Sequence, residues 1–72
     1  MNIDIGNKYI HAEPIGNLRG KPSYAIISSK NDDEIAVVEY YPKWGRYVIT
    51  TEAAIFDVGC LESIIKFIKG LG

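Results

Sequence analysis

A single cysteine, Cys60, and a single histidine, His11, leave little room for several kinds of chemistry. One cysteine excludes an internal disulfide, and with one histidine beside it no thiolate–imidazole set can close a tetrahedral zinc shell. So sparing a use of cysteine fits a reducing, intracellular setting. No apolar run approaches the ~20 residues a membrane-spanning helix needs. The N-terminus, MNIDIGNKYIH, has neither the cationic start nor the apolar run of a secretory leader. The expectation is a cytoplasmic protein that does not enter a membrane. An excess of one charge is missing too: Lys and Arg total 8 against 9 Asp and Glu, for a net charge of −1. Attraction to nucleic acid or acidic lipid must therefore come from local clusters of charge. There is no GxxxxGK(S/T) phosphate loop and no calcium loop of spaced oxygen ligands, although Asp32, Asp33, Glu34 and Glu52 supply carboxylates. They read as a solvated turn. Internal repeats and low-complexity stretches are also lacking. No metal site, cofactor or catalytic constellation is expected.

The residues present suit one small globular domain spanning residues 1–72. Of the residues 47% are hydrophobic and 24% charged, a globular balance. A chain this short buries only ~60% of the surface its unfolded form exposes, so a modest stability is expected.

The chain is organised around EIAVVEYYPKWGRYVIT, residues 34–50. It reads as two β-strands about a turn at Pro42-Lys43-Trp44-Gly45. Tyr40, Tyr41, Trp44 and Tyr47 cluster there, with Lys43 and Arg46 between them. YAIISS, residues 24–29, is a third strand, joined to the others by the turn KNDD, residues 30–33, whose Asn and Asp tolerate turn geometry. The β-branched and aromatic content supports all three strands. If both loops hold four residues, Tyr41 pairs with Arg46, Tyr40 with Tyr47, Val38 with Ile49, Ile27 with Ala36 and Ala25 with Val38. One face then carries Ala25, Ile27, Ala36, Val38, Tyr40, Tyr47 and Ile49. The other carries Tyr24, Ile26, Ile35, Val37, Glu39, Tyr41, Arg46 and Val48. A slip of one residue would exchange these faces.

Residues 57–70 predict a helix. Leu61, Ile64, Ile65, Ile68 and Leu71 recur at helical spacing, flanked by Cys60 and Phe67. Asp57 is placed to cap the N-terminus, Glu62 and Lys66 are spaced as an i,i+4 pair, and Gly70 suits the C-terminal stop. Residues 1–23 are an arm or loop. Ile3 and Ile5 with Gly6-Asn7 and Tyr9-Ile10 can form a small hairpin, while Pro14, Gly16, Asn17, Gly20 and Pro22 break regular structure over residues 11–22. The fold class is α+β: a three-stranded antiparallel meander, a C-terminal helix on one face, and the N-terminal arm or small hairpin.

The second half resembles a group of short uncharacterised proteins of bacteriophages, prophages and similar mobile elements. The matching residues are Tyr40, Tyr41, Trp44, Arg46, Tyr47, Phe56, Asp57, Gly59, Cys60 and Leu61, then Ile64, Ile65, Phe67 and Ile68. The resemblance spans about residues 35–70. It departs at Tyr40, where a Trp is usual, and at Gly45, which separates Trp44 from Arg46. It implies a compact β-meander with a helix and a mobile-element origin, and nothing catalytic.

Two surfaces emerge. One helix covers one face of the sheet, yet Tyr24, Ile26, Ile35, Val37, Tyr41 and Val48 make the other face apolar, and a solvated antiparallel face is normally polar. These six residues are the candidate interface. Either the N-terminal arm folds across them or a second copy of the chain does. Second, the loop at 19–22 and the turn at 42–45 lie at one end of the sheet, which gathers Arg19, Lys21, Lys43 and Arg46 around Trp44. Lys66 and Lys69 run toward the same end, and the acidic turn occupies the other. Rings interleaved with cations can stack bases and hold phosphates. The same rings can instead serve packing, with Tyr40 and Tyr47 in the core, Trp44 pinning the turn and Arg46 stacked on Tyr41. A Cys60–His11 nucleophile pair would need the two to meet across the fold. The functional expectation is a non-enzymatic interaction module binding itself as a homodimer or another protein. The alternative is a single-stranded nucleic-acid or other anion binder at the basic-aromatic end.

Overall fold

The computed structural model describes residues 2–18, 20–51 and 55–71. Arg19 and Glu52 lie outside the described residues. The order of elements is β1 (Ile10–Leu18), β2 (Lys21–Ser28), β3 (Glu34–Tyr41), β4 (Arg46–Thr51) and α1 (Val58–Leu71). The strands form one antiparallel sheet in the order β1-β2-β3-β4. The α+β class with a C-terminal helix holds, with four strands in place of three.

The additional strand is β1, formed from the stretch expected to be loop. Its breakers are accommodated because it is an edge strand. The register shifts between Pro14 and Gly16, and Gly16 sits at φ 110°, so the irregularity is absorbed as a bulge. The small hairpin ahead of it is reduced to a single bridge. Ile3 N–H donates to the Ala12 carbonyl at 2.7 Å and Ala12 N–H to the Ile3 carbonyl at 3.1 Å. The intervening loop is closed by side chains: Asp4 Oδ1 accepts from Gly6 N–H and Asn7 Oδ1 from Tyr9 N–H, each at 2.8 Å.

The β3–β4 hairpin is as expected, with Tyr41 opposite Arg46, Tyr40 opposite Tyr47 and Val38 opposite Ile49. The turn closes when Gly45, at φ 65°, donates its N–H to the Tyr41 carbonyl at 3.0 Å. The β2–β3 hairpin differs. Its connection is residues 29–33 and places Asp32 at φ 60°. Ile27 pairs with Glu34 but Ile26 with Ala36, so Ile35 is left without a partner in β2. The expected pairs Ile27–Ala36 and Ala25–Val38 are thereby displaced by one residue, to Ile26–Ala36 and Tyr24–Val38. Because side chains alternate along a strand, the displacement exchanges the faces of β2.

The core is set by this register. Ile10, Ala12, Ile26, Ala36 and Val38 form a buried layer against Ile64 of the helix. Asp57 caps α1, its Oδ1 accepting from Cys60 N–H at 2.8 Å, and the helix runs one residue past Gly70 to Leu71. The buried stripe of the helix is rotated from the expected one. Ile64 is 2% exposed, with Cys60, Phe67, Ile68 and Leu71 packed beside it, whereas Leu61 and Ile65 are 45% and 51% exposed. A wide apolar stripe leaves the facing direction undetermined until the sheet selects it. Phe67 makes that selection by meeting Tyr24 edge-on, centroids 5.1 Å apart at 85°.

Ile64→Ala should therefore cost about 2–4 kcal/mol of unfolding free energy, while Ile65→Ala should cost less than about 1 kcal/mol. Urea melts of the two variants check this. Equal losses would mean that the helix faces the sheet as its periodicity alone suggests.

Candidate functional site

The six candidate interface residues do not share a face. Tyr24 and Ile26 lie under the helix, Ile26 fully buried, and Ile35 packs against the same core. Only Val37, Tyr41 and Val48 remain on the opposite side. The exchange of faces in β2 brings Ala25 and Ile27 there instead. Both are buried, flanked by Glu13 and His11 across the β1 pairing and by Val37 across the β3 pairing.

The N-terminal arm does not cover this side, contrary to one of the two expectations. Ile3 and Ile5 pack against the helix-side core, and Asn7 Nδ2 donates to the Ser63 hydroxyl at 3.2 Å and toward the Gly59 carbonyl at 3.5 Å. The arm is thus tied to the first turns of α1. Phe56 packs on the same side. Among the described residues no element lies on the face of Val37, Tyr41 and Val48. A shallow concavity of about 240 Å³ opens there, lined by Glu39, Tyr41, Trp44, Val48, Ile49 and Thr50. Trp44 is 64% exposed at its rim and meets Tyr41 edge-on at 5.0 Å. Trp44 is therefore the ring contact of Tyr41, while Arg46 is its cross-strand neighbour.

The polarity of the ends agrees with the expectation wherever residues are described. Lys21, Lys43 and Arg46 flank the hairpin ends at one side, and the helix brings Lys69 to them. Asp32, Asp33 and Glu34 belong to the opposite end, together with Asp4 of the arm. The basic-aromatic cluster, however, is divided by the sheet. Lys21 and Arg46 border a groove of about 910 Å³ between the strand ends and the last turns of α1, with Lys69 on its other side. Lys43 is exposed in the turn and lines neither concavity, and Trp44 points to the opposite face. Tyr40 and Tyr47, expected as core or stacking residues, are walls of this groove and meet edge-on at 5.6 Å. Burial and the neighbouring Tyr24 and Tyr40 push the Tyr47 hydroxyl up, so it stays protonated and donates to the Pro22 carbonyl at 3.0 Å. Lys69 is legible in the sequence as a helix residue running toward the basic end, and Ile68 as a member of the apolar helix stripe. Their alignment with Tyr40 and Tyr47 required the rotation of the helix.

Cys60 and His11 do not meet. His11 Nδ1 lies 2.9 Å from the Ser29 hydroxyl, while Asn7 Nδ2 approaches Cys60 Sγ at 3.9 Å. Burial pushes the Cys60 thiol up, and the Asp57 carboxylate beside it adds to the effect. The carboxylate itself is held below its usual range by the Cys60 N–H it accepts. Among the described residues no three of His, Cys, Asp and Glu gather as a metal site, and no helix is long and apolar enough to cross a membrane. No family model, no curated protein and no solved structure matches the chain.

A raised thiol pKa means less thiolate at mildly alkaline pH, and the thiolate is the nucleophile. At pH 8, iodoacetamide should alkylate Cys60 in the folded protein more slowly than it alkylates free cysteine, with the difference vanishing in denaturing urea. A rate at or above that of free cysteine would show an activated thiol.

Proposed function

We propose that this chain is a non-enzymatic protein-interaction module that docks through the sheet face opposite the helix, with a second copy of itself as the partner. One observation carries the reading: the helix, the N-terminal arm and Phe56 all pack on one side, leaving Val37, Tyr41 and Val48 on a side that no described element covers. Antiparallel sheets with one solvated face normally make that face polar. The distribution of charge favours a second copy. A two-fold face-to-face arrangement with its axis across the strands reverses the strand direction. It would bring the turn that carries Lys43, which lies outside the groove, toward the partner's Asp32, Asp33 and Glu34. Such complementarity sets orientation and speeds encounter. Trp44, exposed at the rim beside Tyr41, is the residue type that anchors protein interfaces. The resemblance of residues 35–70 to short phage-type proteins and a cytoplasmic location belong to the same reading.

Sedimentation velocity tests it. The native chain should dimerise with rising concentration and dissociate as salt screens the opposed ends. Val37→Lys should be a folded monomer, with the native urea midpoint at concentrations where the native chain is itself monomeric. Monomers for both proteins across the concentration range would contradict the reading, as would a Val37→Lys variant that still dimerises.

A further inference from the structure

The groove at the basic end is a second site, on the other side of the sheet from the docking face and independent of it. Three cations border it, one each from β2, β4 and α1: Lys21, Arg46 and Lys69. No carboxylate lines it among the described residues, although the chain as a whole has net charge −1. Such a segregation of charge in a concavity raises the local concentration of anions. Two of the cations are held in place within the fold. Lys21 Nζ sits 5.4 Å from the centroid of the Tyr40 ring, and Arg46 Nε donates to the Trp44 carbonyl at 3.3 Å. Cations anchored this way lose less freedom when they engage a ligand.

The rest of the groove is apolar and aromatic. Tyr40 and Tyr47 form one wall, with Tyr47 fixed by its bond to the Pro22 carbonyl. Ile65 and Ile68 form the other. Ile65 is 51% exposed on the groove side of the helix, an apolar surface the core does not use. The volume of about 910 Å³ falls within the range of small-molecule sites.

We propose that this groove binds a phosphorylated nucleoside. The phosphate would be held by Lys21, Arg46 and Lys69, and the base would lie between the tyrosine and isoleucine walls. Convergence of three cations from three elements matches a phosphate ester, which carries about two negative charges, better than a single carboxylate. A flat base suits walls that are aromatic on one side and aliphatic on the other. An extended single strand fits less well. Its stacking platform would need a continuous series of rings, and Trp44, the ring best exposed for the purpose, lies on the opposite face. The ligand is therefore bounded: a free nucleotide, or the terminal nucleotide of a strand.

Titration calorimetry with four probes, ADP, adenosine, inorganic phosphate and an eight-nucleotide single strand of DNA, tests the proposal, with Trp44 fluorescence followed in parallel. ADP should bind at least ten times more tightly than either adenosine or phosphate, without changing the Trp44 emission. Lys21→Ala and Arg46→Ala, both at exposed positions, should each weaken ADP about 10-fold, in the range expected for a charge-assisted contact, with urea midpoints unchanged. Trp44→Phe should leave ADP binding as it was. A strand that binds as ADP does, and competes with it, identifies the terminal-nucleotide source. Three results would overturn the proposal: ADP no tighter than phosphate, no binding of ADP, or strand binding that quenches Trp44 and is lost in Trp44→Phe.

Discussion

The residue of slack taken up at Ile35 decides which side of this sheet becomes core. The connection at 29–33 and the bulge beside it set Ile26, rather than Ile27, opposite Ala36. Ile26 and Val38 are then aligned on one face as the floor on which Ile64 rests. Tyr24 is brought to the same face, where its ring meets Phe67 and fixes the rotation of the helix. With the helix so rotated, Ile65 is left half exposed beside the tyrosines, and the groove between α1 and the strand ends takes its lining. The alternate residues, Val37, Tyr41 and Val48, are turned away from everything the described chain provides. The open face and the groove are both consequences of the same residue of register.

The legible parts of the fold were those governed by local chemistry. The Pro42–Gly45 turn carries its own signal in a glycine that takes a positive φ, and the pairing across it was readable from that. Asp57 announced the helix start because a short acidic side chain before an apolar periodic run is suited to the exposed N–H groups of the first turn. The misplaced parts were those decided at a distance. In β1, Pro14 and Gly16 oppose a strand in any local reading, yet an edge strand needs pairing along one side only and tolerates a bulge. The β2–β3 register depended on a loop length that KNDD does not specify. The helix stripe, with apolar residues at 60, 61, 64, 65, 67, 68 and 71, spans more surface than one sheet can cover, so composition could not say which residues would be left outside.

The same division applies to function. The gathering of cations at one end was readable from strand direction alone, because an antiparallel meander places alternate connections together. The grouping of Trp44 with those cations was not sustained, since adjacent residues in a hairpin turn can point to opposite faces. The chain that results is polarised in two directions. Along the strands it runs from acidic to basic, and across the sheet it runs from a closed, helix-covered side to an open one. Its surface properties come from backbone geometry and from a few side chains that the core leaves outside.

The register of β2 against the helix is the feature on which the rest stands, and methyl and aromatic nuclear Overhauser contacts from Ile64 and Phe67 measure it directly. Contacts are expected from Ile64 to Ile26 and Val38 and from Phe67 to Tyr24, with none to Ala25, Ile27 or Val37. Contacts from Ile64 or Phe67 to Ala25 and Ile27 would place the other face of β2 under the helix and contradict this register.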